Sequence, residues 1–262
     1  GKGLSGMANL GNTCFINSCM QIVSHTYELN ELLNSRPSVH NSPDGIILKE
    51  WNDLRKMLWS ENCIVSPQGW LRAIHNVAQQ KGKDIFTGYA QNDLPEFLLF
   101  MLDCFHNALK RNVKMKINGD IMNSNDEIAK DCYTMMIKMY EKEYSEIIKL
   151  FLGIHISQII SLDRKVLSNH PEPFFTLDLP VFNKKGNTLT IHDCLNYYSH
   201  PEKLEGENAW FNEETNEKQD VYRRITFWKA PEILVIAFKR FTNTGRKLQM
   251  MIDFPLENFD FS

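Results

Sequence analysis

The chain has 262 residues, 43% of them hydrophobic and 23% charged, with a net charge of −3. That is an ordinary globular composition, with room for one large domain or two small ones and a sizeable core. The slight acidity speaks against a nucleic acid or a membrane surface as partner, and no apolar run approaches the roughly 18 residues that span a bilayer.

The opening GKGLSG lacks the apolar run of a secretion signal. Six cysteines, none paired as C-x-x-C, suit buried thiols in a reducing, intracellular compartment, cytoplasmic or nuclear, rather than a disulfide frame.

In chain order, the first informative stretch is GMANLGNTCFINSCMQ at 6–21. Asn9, Gly11 and Asn12 form a loop that runs into Thr13 and Cys14. An apolar-periodic helix follows to about Leu33, with a break near Thr26. Cys14 thus falls in the first turn of a helix, where unpaired backbone N–H groups and the helix dipole favour negative charge. The thiolate is the nucleophilic form of cysteine. An arbitrary cysteine merely packs, and Cys19 reads that way. The glycine and asparagines before Cys14 let a substrate approach the backbone closely, which makes Cys14 a candidate nucleophile.

Residues 35–45 carry turn chemistry and read as a loop, followed by a helix over about 47–59. Ser66-Pro67 reads as an N-cap with proline at the first helical position, opening a helix through Trp70, Leu71 and Ile74. Further helices are predicted over Leu94–Leu109 and about Asn125–Phe151, the methionines of the latter filling core rather than lining a groove.

From Gly153 the pattern changes to β: HISQIISL, PFFTLDLPVF, VYRRITF and EILVIAFKRF read as strands, with Ile233–Phe238 a buried one. Thr190 to Asp193 is a capping box for a short helix through Tyr198, and 199–208 reads as a surface loop. The fold class is α+β, a helical region over 1–152 followed by a mostly antiparallel β region over 153–262.

GYAQNDLPEFLLFMLD at 88–103 sets Asp93 and Glu96 on adjacent faces of a helix's first turn. The dipole favours carboxylates there, so capping alone would account for both. Phe97 and Leu98 read as core. Together with the cysteine segment, this stretch resembles the ubiquitin-specific proteases, papain-like deubiquitinases built as thumb, fingers and palm. EPFFTLDL at 172–179, PEILVIAFKRF at 231–241 and the final FPLENFDFS extend the likeness along nearly all of the chain.

The resemblance implies that Cys14 attacks the carbonyl at the end of ubiquitin's tail and that Asn9 helps to form the oxyanion hole, where one donor is worth about 10²–10³ in rate. It implies that Gln91, Asp93 and Glu96 bind the tail, whose arginines make fork-like bonds to carboxylates. Asn92 and Pro95 depart from the family's box. Residues 1–152 would form the thumb and 153–262 the fingers and part of the palm. The implied partner is ubiquitin or a ubiquitin-conjugated protein.

Many members of the family hold the fingers with a zinc bound by paired C-x-x-C motifs. Ser161, Arg164, Asn212 and Thr215 stand at those places, so neither a metal nor another cofactor is expected. The family's His box follows the segment that FPLENFDFS matches, which puts the general base beyond Ser262. His25, His40, His75, His106, His155, His170, His192 and His200 sit in no matching context. His75 and His106 read as surface or packing residues of helices, and His170 and His200 each precede a proline in a loop. The leading reading is a deubiquitinating thiol protease. The alternative is a catalytically incomplete ubiquitin-binding module of the same fold, against which the activated thiol beside Asn9 argues. Another papain-like hydrolase would fit Cys14 but not the Asp93/Glu96 box.

Overall fold

The computed structural model describes residues 3–83, 86, 92–182 and 188–261. The chain divides into two units, Gly1–Asn118 with Met136–Phe151 and Gly119–Met135 with Leu152–Ser262. Residues 119–135, part of the helical region in the sequence reading, thus group with the second unit, where Tyr133 lies edge-on to Trp228 at 5.0 Å.

In the first unit, β1 (Gly6–Met7) pairs in parallel with β2 (Ile64–Val65). Between them lie α1 (Cys14–Ser24), α2 (Tyr27–Asn34) and α3 (Pro43–Ser60); α4 (Gln68–Gln80) and α5 (Leu94–Leu109) follow β2. Thr26 takes extended dihedrals and separates α1 from α2. Helix α3 begins earlier than its periodicity suggests. Ser42 caps it by accepting the Gly45 N–H at 3.1 Å, with Pro43 at the first helical position. The same Ser-Pro-Asp-Gly residues that read as a turn therefore open a helix. At α4 the N-cap is Pro67 rather than Ser66, and no side chain caps it.

The single long helix expected over 125–151 is two helices, α6 (Ser124–Glu143) and α7 (Glu146–Phe151). Tyr144 leaves the helix to exchange backbone bonds with Arg111, donating at 3.0 Å and accepting at 2.8 Å. The freed Ser145 hydroxyl then accepts the Ile148 N–H at 3.4 Å and restarts the helix.

Phe97 is the hub of the first unit's core. Its ring meets Phe15, Phe86 and Trp70 edge-on, at centroid distances of 5.6, 5.5 and 6.5 Å, and Trp70 meets Trp51 at 5.5 Å. Phe97, Trp51 and Trp70 are almost wholly buried, and losing such an aromatic costs about 3–5 kcal/mol. Leu98, by contrast, is only half-buried.

The second unit is built on an antiparallel sheet in the order β4-β3-β10-β7, from β3 (Gly153–Ser161), β4 (Val166–Phe174), β7 (Glu202–Leu204) and β10 (Val221–Lys229). Gly153 is required where β3 starts, because a Cβ there would lie 2.3 Å from the Phe174 ring. His170 is a residue of β4, paired with Ser157, not of a loop. Pro171 and Pro173 conceal this strand in the sequence. They are tolerated because β4 is an edge strand, where a missing N–H breaks no ladder. The expected loop over 199–208 contains β7, which pairs with the start of β10.

Two parallel ladders join the antiparallel sheet: β5 (Thr176–Pro180) with β11 (Val235–Lys239), and β6 (Leu189–Thr190) with β12 (Ile252–Asp253). β11 is half-buried rather than buried. The capping box forms: Thr190 accepts the Asp193 N–H at 3.1 Å and Asp193 accepts the Thr190 N–H at 2.9 Å, starting α8 (Ile191–Ser199). β8 (Trp210–Asn212) and β9 (Glu217–Gln219) form a hairpin. Among the described residues no helix is long and apolar enough to cross a membrane.

Candidate active site

Cys14 is the first residue of α1 and is exposed. No side chain caps α1, and its first turn holds no acidic residue. The residue at the N-cap, Thr13, is committed to the preceding loop instead. Its Oγ1 donates to Asn9 Oδ1 at 2.9 Å and accepts the Leu10 N–H at 3.1 Å, while its own N–H donates to Asn9 Oδ1 at 3.3 Å. Both bonds fall on the amide oxygen of Asn9, so neither uses its Nδ2 donors. Gly11, with φ of +117°, makes the reversal between Asn9 and Thr13 that a side chain would oppose.

A polar stripe on α1 holds this loop. Asn17 Nδ2 donates to Met7 O at 3.3 Å and Ala8 O at 3.2 Å, and Gln21 Nε2 donates to Ser5 O at 2.8 Å. His25 reaches Gly3 O at 3.1 Å through Nε2. The other face, with Ile16, Cys19, Met20 and Val23, is buried.

Asp93 is the N-cap of α5 itself, its Oδ1 accepting the Glu96 N–H at 3.2 Å. This corrects the reading of both acids as first-turn residues: one caps, and the other lies within the turn. Both are exposed. Pro95 between them fits because first-turn N–H groups have no helical partner to lose. The Phe15–Phe97 contact sets the first turn of α1 against that of α5, so Cys14, Asp93 and Glu96 stand on neighbouring helix starts. Gln91 lies outside the described residues.

Burial divides the thiols. It pushes Cys19 up to about 12 and Cys132 up to about 11, and raises Cys104 and Cys194 as well, whereas Cys14 and Cys63 are exposed. Three imidazoles of the first unit, those of His25, His40 and His106, are engaged elsewhere. His25 Nδ1 meets Gln21 O at 2.8 Å, His40 Nε2 meets Lys110 O and His106 Nδ1 meets Ser145 Oγ at 2.8 Å. Among the described residues none is hydrogen-bonded to Cys14. In the second unit His155 Nε2 pairs with Glu172 at 3.1 Å.

No group of three or more His, Cys, Asp or Glu among the described residues could hold a metal. The places of the expected zinc ligands are turns closed by their own bonds. Ser161 Oγ donates to Asp163 and accepts the Lys165 N–H at 3.0 Å. Asn212 Oδ1 accepts the Glu214 N–H at 2.9 Å, and Thr215 Oγ1 accepts from Gln219 at 3.2 Å.

Sequence reasoning singles out Cys14 and Asn9 as candidates but not the hydrogen bonding of Thr13, Asn17 and Gln21 around them. The spacing of Asn17 and Gln21, one helical turn apart, is the signal that would have found the stripe.

Comparisons with known proteins place the chain in a family. A family model described as "Ubiquitin carboxyl-terminal hydrolase" matches residues 5–262. "Ubiquitin carboxyl-terminal hydrolase 2" of Homo sapiens is 30% identical over 272 residues, covering 99% of this chain and 44% of the relative. "Ubiquitin carboxyl-terminal hydrolase 21" of Bos taurus is 28% identical over 282 residues, covering 98% and 49%. The chain therefore spans less than half the length of these curated relatives. Among solved structures, a SAGA DUB module bound to ubiquitin aldehyde superposes with a TM-score of 0.66 at 22% identity, over 97% of this chain and 52% of that one. That likeness shows a shared α+β, papain-like fold. Since the family model runs from the strand before the cysteine loop to the last residue, the chain belongs to the ubiquitin carboxyl-terminal hydrolase family.

Proposed function

We propose that the chain is a cysteine-type deubiquitinase, hydrolysing the bond after the C-terminal glycine of ubiquitin. The observation that carries this reading is the exposed Cys14 on an uncapped helix start, following a loop in which Thr13 holds the Asn9 amide by its oxygen and leaves its nitrogen out of both bonds. The Cys14 thiolate adds to the scissile carbonyl carbon. Asn9 Nδ2 donates to the oxyanion that forms, the amine departs with a proton from an imidazolium, and water then hydrolyses the thioester. Asp93 and Glu96 bind the arginines of ubiquitin's tail, and Gln91 belongs to the same substrate-binding set. The partner is ubiquitin or a ubiquitin-conjugated protein, with residues 1–152 as the thumb and 153–262 as the fingers and partial palm.

On this reading the imidazole is none of the eight histidines of residues 1–262 and lies beyond Ser262. The engagement of His25, His40 and His106 elsewhere supports it. The test uses ubiquitin carrying a C-terminal electrophile. It is expected to label Cys14, and Cys14→Ser is expected to abolish labelling. Labelling at Cys63, the other exposed thiol, would overturn the assignment. Tight ubiquitin binding with no labelling at all would favour a non-catalytic ubiquitin-binding module.

A further inference from the structure

Arg55, within α3, is a buried cation without a counter-charge. It is 5% exposed. Its Nε and Nη2 donate to Asn52 Oδ1 at 3.3 and 2.8 Å, and Nη2 also donates to Asn34 Oδ1 at 2.8 Å. Both acceptors are neutral amides, and no carboxylate pairs with Arg55 among the described residues. Burial alone acts on the guanidinium and lowers its pKa. Charges taken out of water are ordinarily paired, because desolvation is costly. The bonds to Asn34 and Asn52 tie the end of α2 to α3, a task that needs donors but no charge. They use the Nε and Nη2 hydrogens and leave the pair on Nη1.

Arg55 lines an open pocket of about 480 Å³ with Tyr27, Asn30, Glu31, Lys56 and Trp59. A second unmet group lies there. Asn30 Nδ2 donates to Ser24 O at 2.8 Å, but its buried Oδ1 has no partner. Tyr27 and Trp59, edge-to-face with centroids 6.3 Å apart, supply an aromatic wall. The Trp59 indole is fixed by donating to Ser24 O at 3.0 Å, the carbonyl that Asn30 also holds.

The pocket therefore offers cationic donors, a lone acceptor and an apolar surface. An inorganic anion answers only the first. The Lys56 ammonium is already bonded to Asp53 at 3.1 Å, and Glu31 at the rim disfavours a polyanion. A peptide answers all three at once, with a carboxylate for Arg55, a backbone N–H for Asn30 Oδ1 and an apolar side chain for Tyr27 and Trp59. We infer that this pocket binds a peptide segment through a single carboxylate. It lies at the far end of α1 from Cys14, roughly 15 Å along the helix axis, and so is distinct from the candidate active site.

The carboxylate can come from a C-terminus or from an acidic side chain, and three probes distinguish these: acetyl-Gly-Phe with a free carboxylate, its C-terminal amide, and acetyl-Gly-Glu-Phe amide. Each is titrated into the 262-residue chain while the Trp59 indole N–H resonance is followed. At least one carboxylate probe is expected to shift it, naming the source, and acetyl-Gly-Phe amide is expected not to. Arg55→Met is expected to weaken the bound probe about tenfold or more, with a thermal melt showing that the variant remains folded. No response to any probe, an equal response to acid and amide of acetyl-Gly-Phe, or undiminished binding by Arg55→Met would overturn the inference. Should Arg55→Met fail to fold, the exposed Tyr27 decides. Tyr27→Ala is expected to weaken the carboxylate probe, and unchanged binding would overturn the site.

Discussion

Asp93 has two candidate roles, and its geometry allows them to be separated. Its Oδ1 accepts the Glu96 N–H at 3.2 Å, which caps α5, and its exposed charge is proposed to meet an arginine of ubiquitin's tail. Asp93→Asn keeps an oxygen for the cap, and Asn caps as well as Asp, so only the dipole contribution of about 0.3–1 kcal/mol is lost from stability. Asp93→Ala removes the acceptor too, at about 1 kcal/mol more, equivalent to roughly 2–4 °C in a domain of this size. For ubiquitin, either change removes a charge-assisted bond worth about 1.5–3 kcal/mol, which is about 10- to 150-fold in Kd. Glu96→Gln is expected to lose similar affinity, because only its backbone N–H, not its carboxylate, takes part in the cap. Calorimetric titration with ubiquitin and a thermal melt are measured on all three variants. An Asp93→Asn chain that binds ubiquitin as the parent does would refute the tail-binding role. Affinity losses that track the melting temperatures would reduce both acids to helix-start residues.

Two further outcomes follow from burial. Iodoacetamide at neutral pH is expected to modify Cys14 and Cys63 of the native chain and spare the rest. With Cys19 pushed up to about 12 and Cys132 to about 11 from 9.0, their thiolates are about 10³ and 10² scarcer than an ordinary thiol's; mass spectrometry showing Cys19 modified at a comparable rate in the folded chain would contradict this. Stability is expected to fall with acid in two stages, read as the urea midpoint against pH. Burial lowers His75 and His106, so the unfolded chain binds more protons and stability drops as pH falls below their ordinary 6.5. Lys110 and Arg111 hold Glu143 and Glu146 below 4.5, so those contributions are present above 4.5 and lost as pH falls through the lower range. A midpoint unchanged between pH 7 and 5.5 would exclude the histidine stage.

The elements legible in the sequence are those whose ends are written locally. α5 runs over the predicted Leu94–Leu109 because Asp93 caps it and its apolar period is unbroken. The capping box at Thr190 marks α8 in the same way. What is illegible depends on partners far along the chain. Nothing near Tyr144 announces a break, since the cause is a bridge to Arg111. Pro171 and Pro173 argue against a strand until the sheet order shows β4 at an edge. The turn residues at 43–45 are equally good helix-opening residues, and only the Ser42 bond decides between the two.

The candidate site shows the same division. Cys14 and Asn9 are recognisable as residues, but their juxtaposition comes from helical geometry. Asn17, Gln21 and His25 recur every four residues along α1 and bind the carbonyls of Gly3, Ser5, Met7 and Ala8, laying the N-terminal segment along one face of the helix. Cys14, three residues before Asn17, continues that face rather than the buried one formed by Ile16, Cys19, Met20 and Val23. The segment held along the stripe must therefore turn back to enter α1 beside the thiol. Gly11 permits the reversal, and Thr13 fixes Asn9 within it. The Asn9 amide is held at the start of α1, where Cys14 lies, by the same face that anchors the loop. A helix with its polar stripe rotated by one residue would lose the bonds that lay the N-terminal segment along it and so the placement of the Asn9–Thr13 loop at the start of α1.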